Sequence, residues 1–144
     1  MTFGIHATPA IHGAPATYSI VLEGDQEGGR LVTTFWDCGA YEHQWREALK
    51  ALSQRRVQSC VLITDIQPPA ESYGVMYWAV FRDDSDVFLQ ERFLRADPYR
   101  IVGRPEDVEA RIPPRFQSRD VAGPAVSEWR VRFSSICAFV GLDV

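Results

Sequence analysis

Three apolar runs in succession, over 57–66, 73–81 and 87–94, constrain this chain more than anything else in it. Each is short, rich in β-branched and aromatic residues, and bounded by turn chemistry. Gln67-Pro68-Pro69 closes the first and Asp83-Asp84-Ser85-Asp86 the second. Short strands joined this closely pair antiparallel, because a parallel crossover needs a dozen residues or more. The runs therefore predict a meander. The first run, built on Cys60-Val61-Leu62-Ile63, is apolar without alternation, so both its faces are expected to be covered and its place to be central. Tyr77 and Trp78 are adjacent, so they point to opposite faces. One of them either marks a binding surface or lies under a second covering layer.

Ahead of the meander, Tyr41, Trp45, Ala48, Leu49 and Leu52 recur at helical spacing, with Glu42, His43, Arg46, Glu47 and Lys50 on the opposite face. This predicts an amphipathic helix over 39–54 with Asp37 as its N-cap. Alternation over Thr17–Glu23, the turn residues 24–29 and the β-rich stretch 31–36 read as a hairpin. Residues 1–16, with Gly4, Pro9, Gly13 and Pro15, read as an irregular arm. Past the meander, 96–126 is Pro-rich and irregular, with a short helix expected over 105–110. Glu128–Arg132 alternates as a strand, and Ser134 is placed to cap a last helix over 135–142. Together these elements predict one α+β domain over residues 1–144, an antiparallel sheet packed with two main helices. Trp45, Leu49, Ile63, Trp129, Ile136 and Val140 are expected to share its core.

Composition narrows the function classes. Fifteen basic against nineteen acidic residues leave a net charge of −4. That is a poor balance for gripping phosphates and a suitable one for meeting a basic protein. Seven Arg stand against four acids between Arg92 and Arg119, as either a local basic patch or a self-paired loop. Cys38, Cys60 and Cys137 are odd in number and far apart, which predicts neither a disulfide framework nor a zinc site. The N-terminal residues lack the features of a signal peptide, and no apolar run approaches the ~18 residues of a membrane span. The expected compartment is a reducing cytoplasm.

No phosphate-binding glycine loop, zinc-protease motif or nucleophile elbow occurs. His6 and His12 lack partner ligands, so no metal and no cofactor are expected. His43 and Glu47 stand four residues apart, either as an acid–base unit or as a solvated contact on a helix face. With Asp65 and the aromatic meander they define the alternative reading, a ligand-binding or enzymatic domain. Asp83-Asp84-Ser85-Asp86 fails the calcium-loop pattern. It reads either as a solvated turn or as a docking point for a partner's Arg or Lys.

A series of short motifs runs through the chain: Trp36, Tyr41 and Gln44-Trp45-Arg46-Glu47-Ala48-Leu49, then Val61-Leu62-Ile63-Thr64 and Tyr77-Trp78-Ala79-Val80-Phe81-Arg82. Val87-Phe88-Leu89-Gln90, Asp97-Pro98-Tyr99, Pro113-Pro114-Arg115, Ser127-Glu128-Trp129 and a short closing helix follow. In this order the series resembles the bacterial immunity proteins of contact-dependent growth inhibition, the CdiI group. The sequence departs from it at Arg82–Asp86, where the group carries a glycine-containing turn, and over residues 1–30. The resemblance implies a non-enzymatic cytoplasmic inhibitor whose partner is a cognate toxin domain, commonly a nuclease, with no nucleic acid and no membrane of its own. Its oligomeric state is left open. Dense, exposed and loop-borne carboxylates are the expected contacts: Asp83, Asp84 and Asp86, with Glu91 on a rival surface nearby.

Overall fold

The computed structural model describes residues 2–67, 74–95, 108, 115 and 127–141. Their order is β1 (Phe3–Thr8), β2 (Thr17–Leu22), β3 (Asp25–Arg30), α1 (Cys38–Ser53), β4 (Ser59–Asp65), β5 (Gly74–Asp83), β6 (Asp86–Arg95), β7 (Glu128–Arg132) and α2 (Phe133–Val140). The strands form two antiparallel sheets, β1-β2-β3 and β4-β5-β6-β7. The fold is α+β, as the periodicities predict.

The meander explains its own apolarity. Cross-strand partners share a face, so Leu62 with Trp78 and Val80 with Leu89 define one side of the larger sheet. Val61 with Ala79, and Ile63 with Tyr77, define the other. All eight are buried. The first side packs against the smaller sheet, whose Tyr18 hydroxyl accepts a hydrogen bond from Trp78 Nε1 at 3.1 Å. On the second side, the Arg115 guanidinium lies 3.5 Å from the Phe88 ring centroid. Tyr77 and Trp78 are thus both interior, and the covering-layer alternative is the one that holds.

β4 is not central, as its unbroken apolarity predicts, but an edge strand, and α1 supplies what a neighbouring strand would. The Gln44 side-chain amide donates to Val61 O and accepts from Ile63 N, each at 2.9 Å. Trp45 Nε1 donates to Ile63 O at 2.6 Å, and the Tyr41 hydroxyl accepts from Ile66 N at 3.1 Å while donating to Val32 O at 2.6 Å. These groups point away from β5, and leaving them dry and unpaired would cost about 1–3 kcal/mol each. The Tyr41 and Gln44-Trp45 motif is therefore an edge seal as well as a core stripe. Asp37 caps α1 as expected, its Oδ1 accepting from Ala40 N at 2.8 Å.

Four other expectations change. The arm is a strand over 3–8, because Phe3, Gly4 and Ile5 bury against the smaller sheet. The first hairpin turns at Glu23-Gly24, both with positive φ, so Asp25–Arg30 is its second strand and 31–36 is not. Gly28 is strand rather than turn: a Cβ there would lie 2.4 Å from Tyr18 O. The last helix starts at Phe133 and not at 135, with no side-chain cap from Ser134; its first amide instead donates to Ser85 O at 2.8 Å. Trp129 and Val140 are half-buried beside the core rather than inside it, Trp129 meeting Trp78 edge-on at 5.2 Å. The helix expected over 105–110 lies outside the described residues except for Val108.

Candidate partner-binding surface

The β5–β6 connection is a two-residue turn. Asp83 pairs with Asp86, and Asp84, at φ 60°, and Ser85 form the bend. Asp is among the few residues that enter this left-handed region at modest cost, so a glycine is not needed here. Asp83 and Asp84 are exposed and Asp86 half-buried, so the structure brings these three predicted carboxylates together at one tip.

The tip is not a bare negative field. Asp86 lies opposite Arg132 in the β6–β7 ladder. A surface cavity of about 300 Å³ beside it is lined by Asp84, Asp86, Arg55, Arg132, Phe133 and Ser134. The Phe133 ring carries the Arg55 guanidinium at 4.9 Å and that of Arg82 at 5.5 Å. Arg115 is held chiefly by Glu128, in two bonds of 2.8 and 2.7 Å, and Asp83 adds a smaller attraction. Carboxylates and guanidinium groups thus share the tip, Arg55 and Arg132 being as exposed as Asp83 and Asp84.

Glu91 does not join this tip. It stands five residues further along β6, about 17 Å away at strand rise. It is exposed, but its Oε2 accepts the Tyr18 hydroxyl at 3.0 Å, which ends a Trp78–Tyr18–Glu91 chain between the sheets. Burial, with a smaller contribution from Glu91, pushes the Tyr18 pKa up to about 12. Glu91 therefore has a structural task that its sequence position did not reveal.

In its place the fold adds carboxylates the sequence reading missed. Glu23, in the β2–β3 turn, accepts from Arg132 N at 3.1 Å and from Ser135 Oγ at 2.5 Å. This sets the β2–β3 turn beside the β5–β6 turn, with the start of α2 between them. Asp25 and Glu27 follow on β3, both exposed. More than a hundred residues separate Glu23 from Arg132, so no local spacing could have joined the two turns.

The alternative constellation is not assembled. His43 and Glu47 are exposed on α1, and Asp65 ends β4 with a buried Oδ1, its carboxyl pKa raised by desolvation. None of them lines the cavity at the tip or a second one between Ala10–Pro15 and Val32–Thr34. Tyr77 and Trp78, at 2% and 1% exposure, are too buried to wall a pocket open to ligand. Among the described residues no three His, Cys, Asp or Glu gather as for a metal, and no helix is long and apolar enough to cross a membrane.

The fold has a known counterpart. The chain is 22% identical over 121 residues to the immunity protein CdiI of Enterobacter cloacae subsp. cloacae, a match covering 84% of this chain and 81% of that protein. Its fold matches a chain of the CdiA-CT/CdiI toxin and immunity complex from Enterobacter cloacae with a TM-score of 0.80, at 23% identity and over 97% of each chain. The family model described as the CdiI N-terminal domain matches residues 31–139, most of the length, and the chain belongs to that family.

Proposed function

We propose that this protein is an immunity protein that binds the C-terminal toxin domain of a CdiA-type protein and neutralises it in the cytoplasm, by occupation rather than by chemistry of its own. The family match over 31–139 carries the reading. The site adds to it: a folded core closed over its aromatic residues, and carboxylates gathered at an exposed tip. We further propose that the toxin is a nuclease. A nuclease must hold phosphates on basic surface, and Asp83, Asp84 and Asp86 present spaced anionic oxygens to such a surface. No disulfide joins Cys38, Cys60 and Cys137, which suits a reducing compartment.

The test uses the toxin domain encoded beside this chain's gene. Its induction in a host should arrest growth, and co-expression of this chain should restore growth and yield a co-purifying complex. Arrest that persists with the chain present and soluble, with no complex, would overturn the reading. Nucleic acid left intact by toxin alone would overturn the nuclease assignment while sparing the rest.

A further inference from the structure

Among the described residues, three of the four sheet edges have at least one outward backbone group bonded by a side chain. On β4 the sealing group is Gln44 with Trp45. On β1 it is Glu42, which accepts Ala7 N at 3.3 Å, and on β7 it is Glu23, which accepts Arg132 N. The exception is β3. Among the described residues it pairs with β2 alone, and all six of its own residues are exposed. Leu31 N bonds Ala16 O at 2.9 Å, so alternation turns Asp25, Glu27 and Gly29 toward β2 and leaves Gln26, Gly28 and Arg30 facing outward. Their backbone groups have no hydrogen-bond partner among the described residues. Edges are usually blunted by charged side chains, Lys above all, by Pro or by a bulge. β3 carries Asp25, Glu27 and Arg30, and a basic partner strand would meet its two carboxylates without repulsion. Asp-Gln-Glu-Gly-Gly-Arg has no Pro or Lys, and its register with β2 is unbroken.

We propose that the free edge of β3 is where an extended, basic segment of the toxin domain adds as a further strand. This rests on the immunity reading above. Backbone pairing would supply affinity and the flanking carboxylates selectivity. The carboxylates are Glu23, Asp25 and Glu27, contiguous with the Asp83–Asp86 tip through Arg132. At its other end the edge runs to the cavity between Ala10–Pro15 and Val32–Thr34, about 550 Å³, which leaves room for the added segment to continue. A second copy of this chain is the worse occupant. The two antiparallel registers that pair most of β3 with itself, outward residue to outward residue, put Glu27 opposite or diagonal to its own copy on one face. Like charges so placed repel.

The experiment is residue-resolved amide hydrogen exchange on the full chain, free and in complex with the neighbouring gene's toxin domain. Gln26, Gly28 and Arg30 amides should exchange fast in the free protein and at least about tenfold more slowly in the complex, while Glu27 and Gly29 are protected in both. Gln26→Pro removes an outward N–H without touching the β2 ladder and should weaken the complex about tenfold. Glu27→Lys, which keeps the backbone intact, should slow association in a salt-sensitive way. A complex that forms and neutralises the toxin while those three amides stay unprotected would overturn this inference and leave the immunity function standing. Wild-type association and affinity in both variants would do the same, as would concentration-dependent protection of the free protein, the mark of self-pairing. Absence of any complex would overturn both readings.

Discussion

At the scale of single residues, the most informative side chain is Gln44, a polar group on an otherwise apolar stripe. Its amide satisfies one acceptor and one donor of β4, in a site where it is itself buried. Gln44→Leu keeps the volume and strands both backbone groups, so it should destabilise by about 2–5 kcal/mol in urea unfolding. Trp45→Ala, which removes a 1%-exposed ring together with the bond to Ile63 O, should cost about 3–5 kcal/mol, much of the stability of a domain this size. An unchanged urea midpoint in either variant would contradict the edge seal. Glu128 gives a pH test. Hydrogen bonding from Arg115 holds its carboxyl below the ordinary value of 4.5. A group depressed in the folded state contributes stability above its unfolded pKa and loses it as pH falls through the folded one. Thermal melts of wild type and Glu128→Gln should differ at pH 7 and converge as pH drops below about 4.5.

At the scale of elements, α1 lies beside the open edges of both sheets, bonding β4 through Gln44 and Trp45 and β1 through Glu42. A change at its N-terminus is therefore felt by both. Asp37→Ala removes the bond to Ala40 N and should lower stability by about 1 kcal/mol, read as a lower melting temperature, while Asp37→Ser should recover most of it. The helix was legible in sequence because 3.6-residue periodicity is a local property. The first hairpin was not. Six residues of turn-like composition, 24–29, looked like the bend, but Glu23-Gly24 bends the chain in two residues and the rest is strand. Gly28 and Gly29 sit there to clear the Tyr18 carbonyl and ring, a contact across strands that composition cannot display.

At the scale of the whole molecule, the charge pattern and not the net charge decides how a partner approaches. Two acidic turns converge at one end, with Arg55 and Arg132 beside them. Asp83→Lys with Asp86→Lys should slow association with the proposed toxin partner, most strongly at low salt, and should also lower the melting temperature, because Lys at 86 would stand opposite Arg132. Stopped-flow association at two ionic strengths checks this, and equal rates for variant and wild type at low salt would take the tip out of the interface. Glu91→Gln should behave differently. It weakens the acceptor that the Tyr18 hydroxyl uses, so its effect should appear in stability before it appears in association.

The elements with local periodicity, namely the α1 face, the three apolar strands of the meander and the tight acidic turn between β5 and β6, could be read from the amino-acid order. Each of these follows from residues a few positions apart, where backbone geometry alone dictates which side chains share a face. Long-range packing settled that β4 is an edge sealed by a helix, that Glu91 is tied to Tyr18, that Glu23 reaches Arg132 and Ser135, and that β3 has no second partner strand among the described residues. Those outcomes turn on which buried or edge-facing polar group finds a partner. That partner lies 17 residues away for Gln44 and 109 for Glu23, and chain spacing carries no information about such pairs until the sheets have packed.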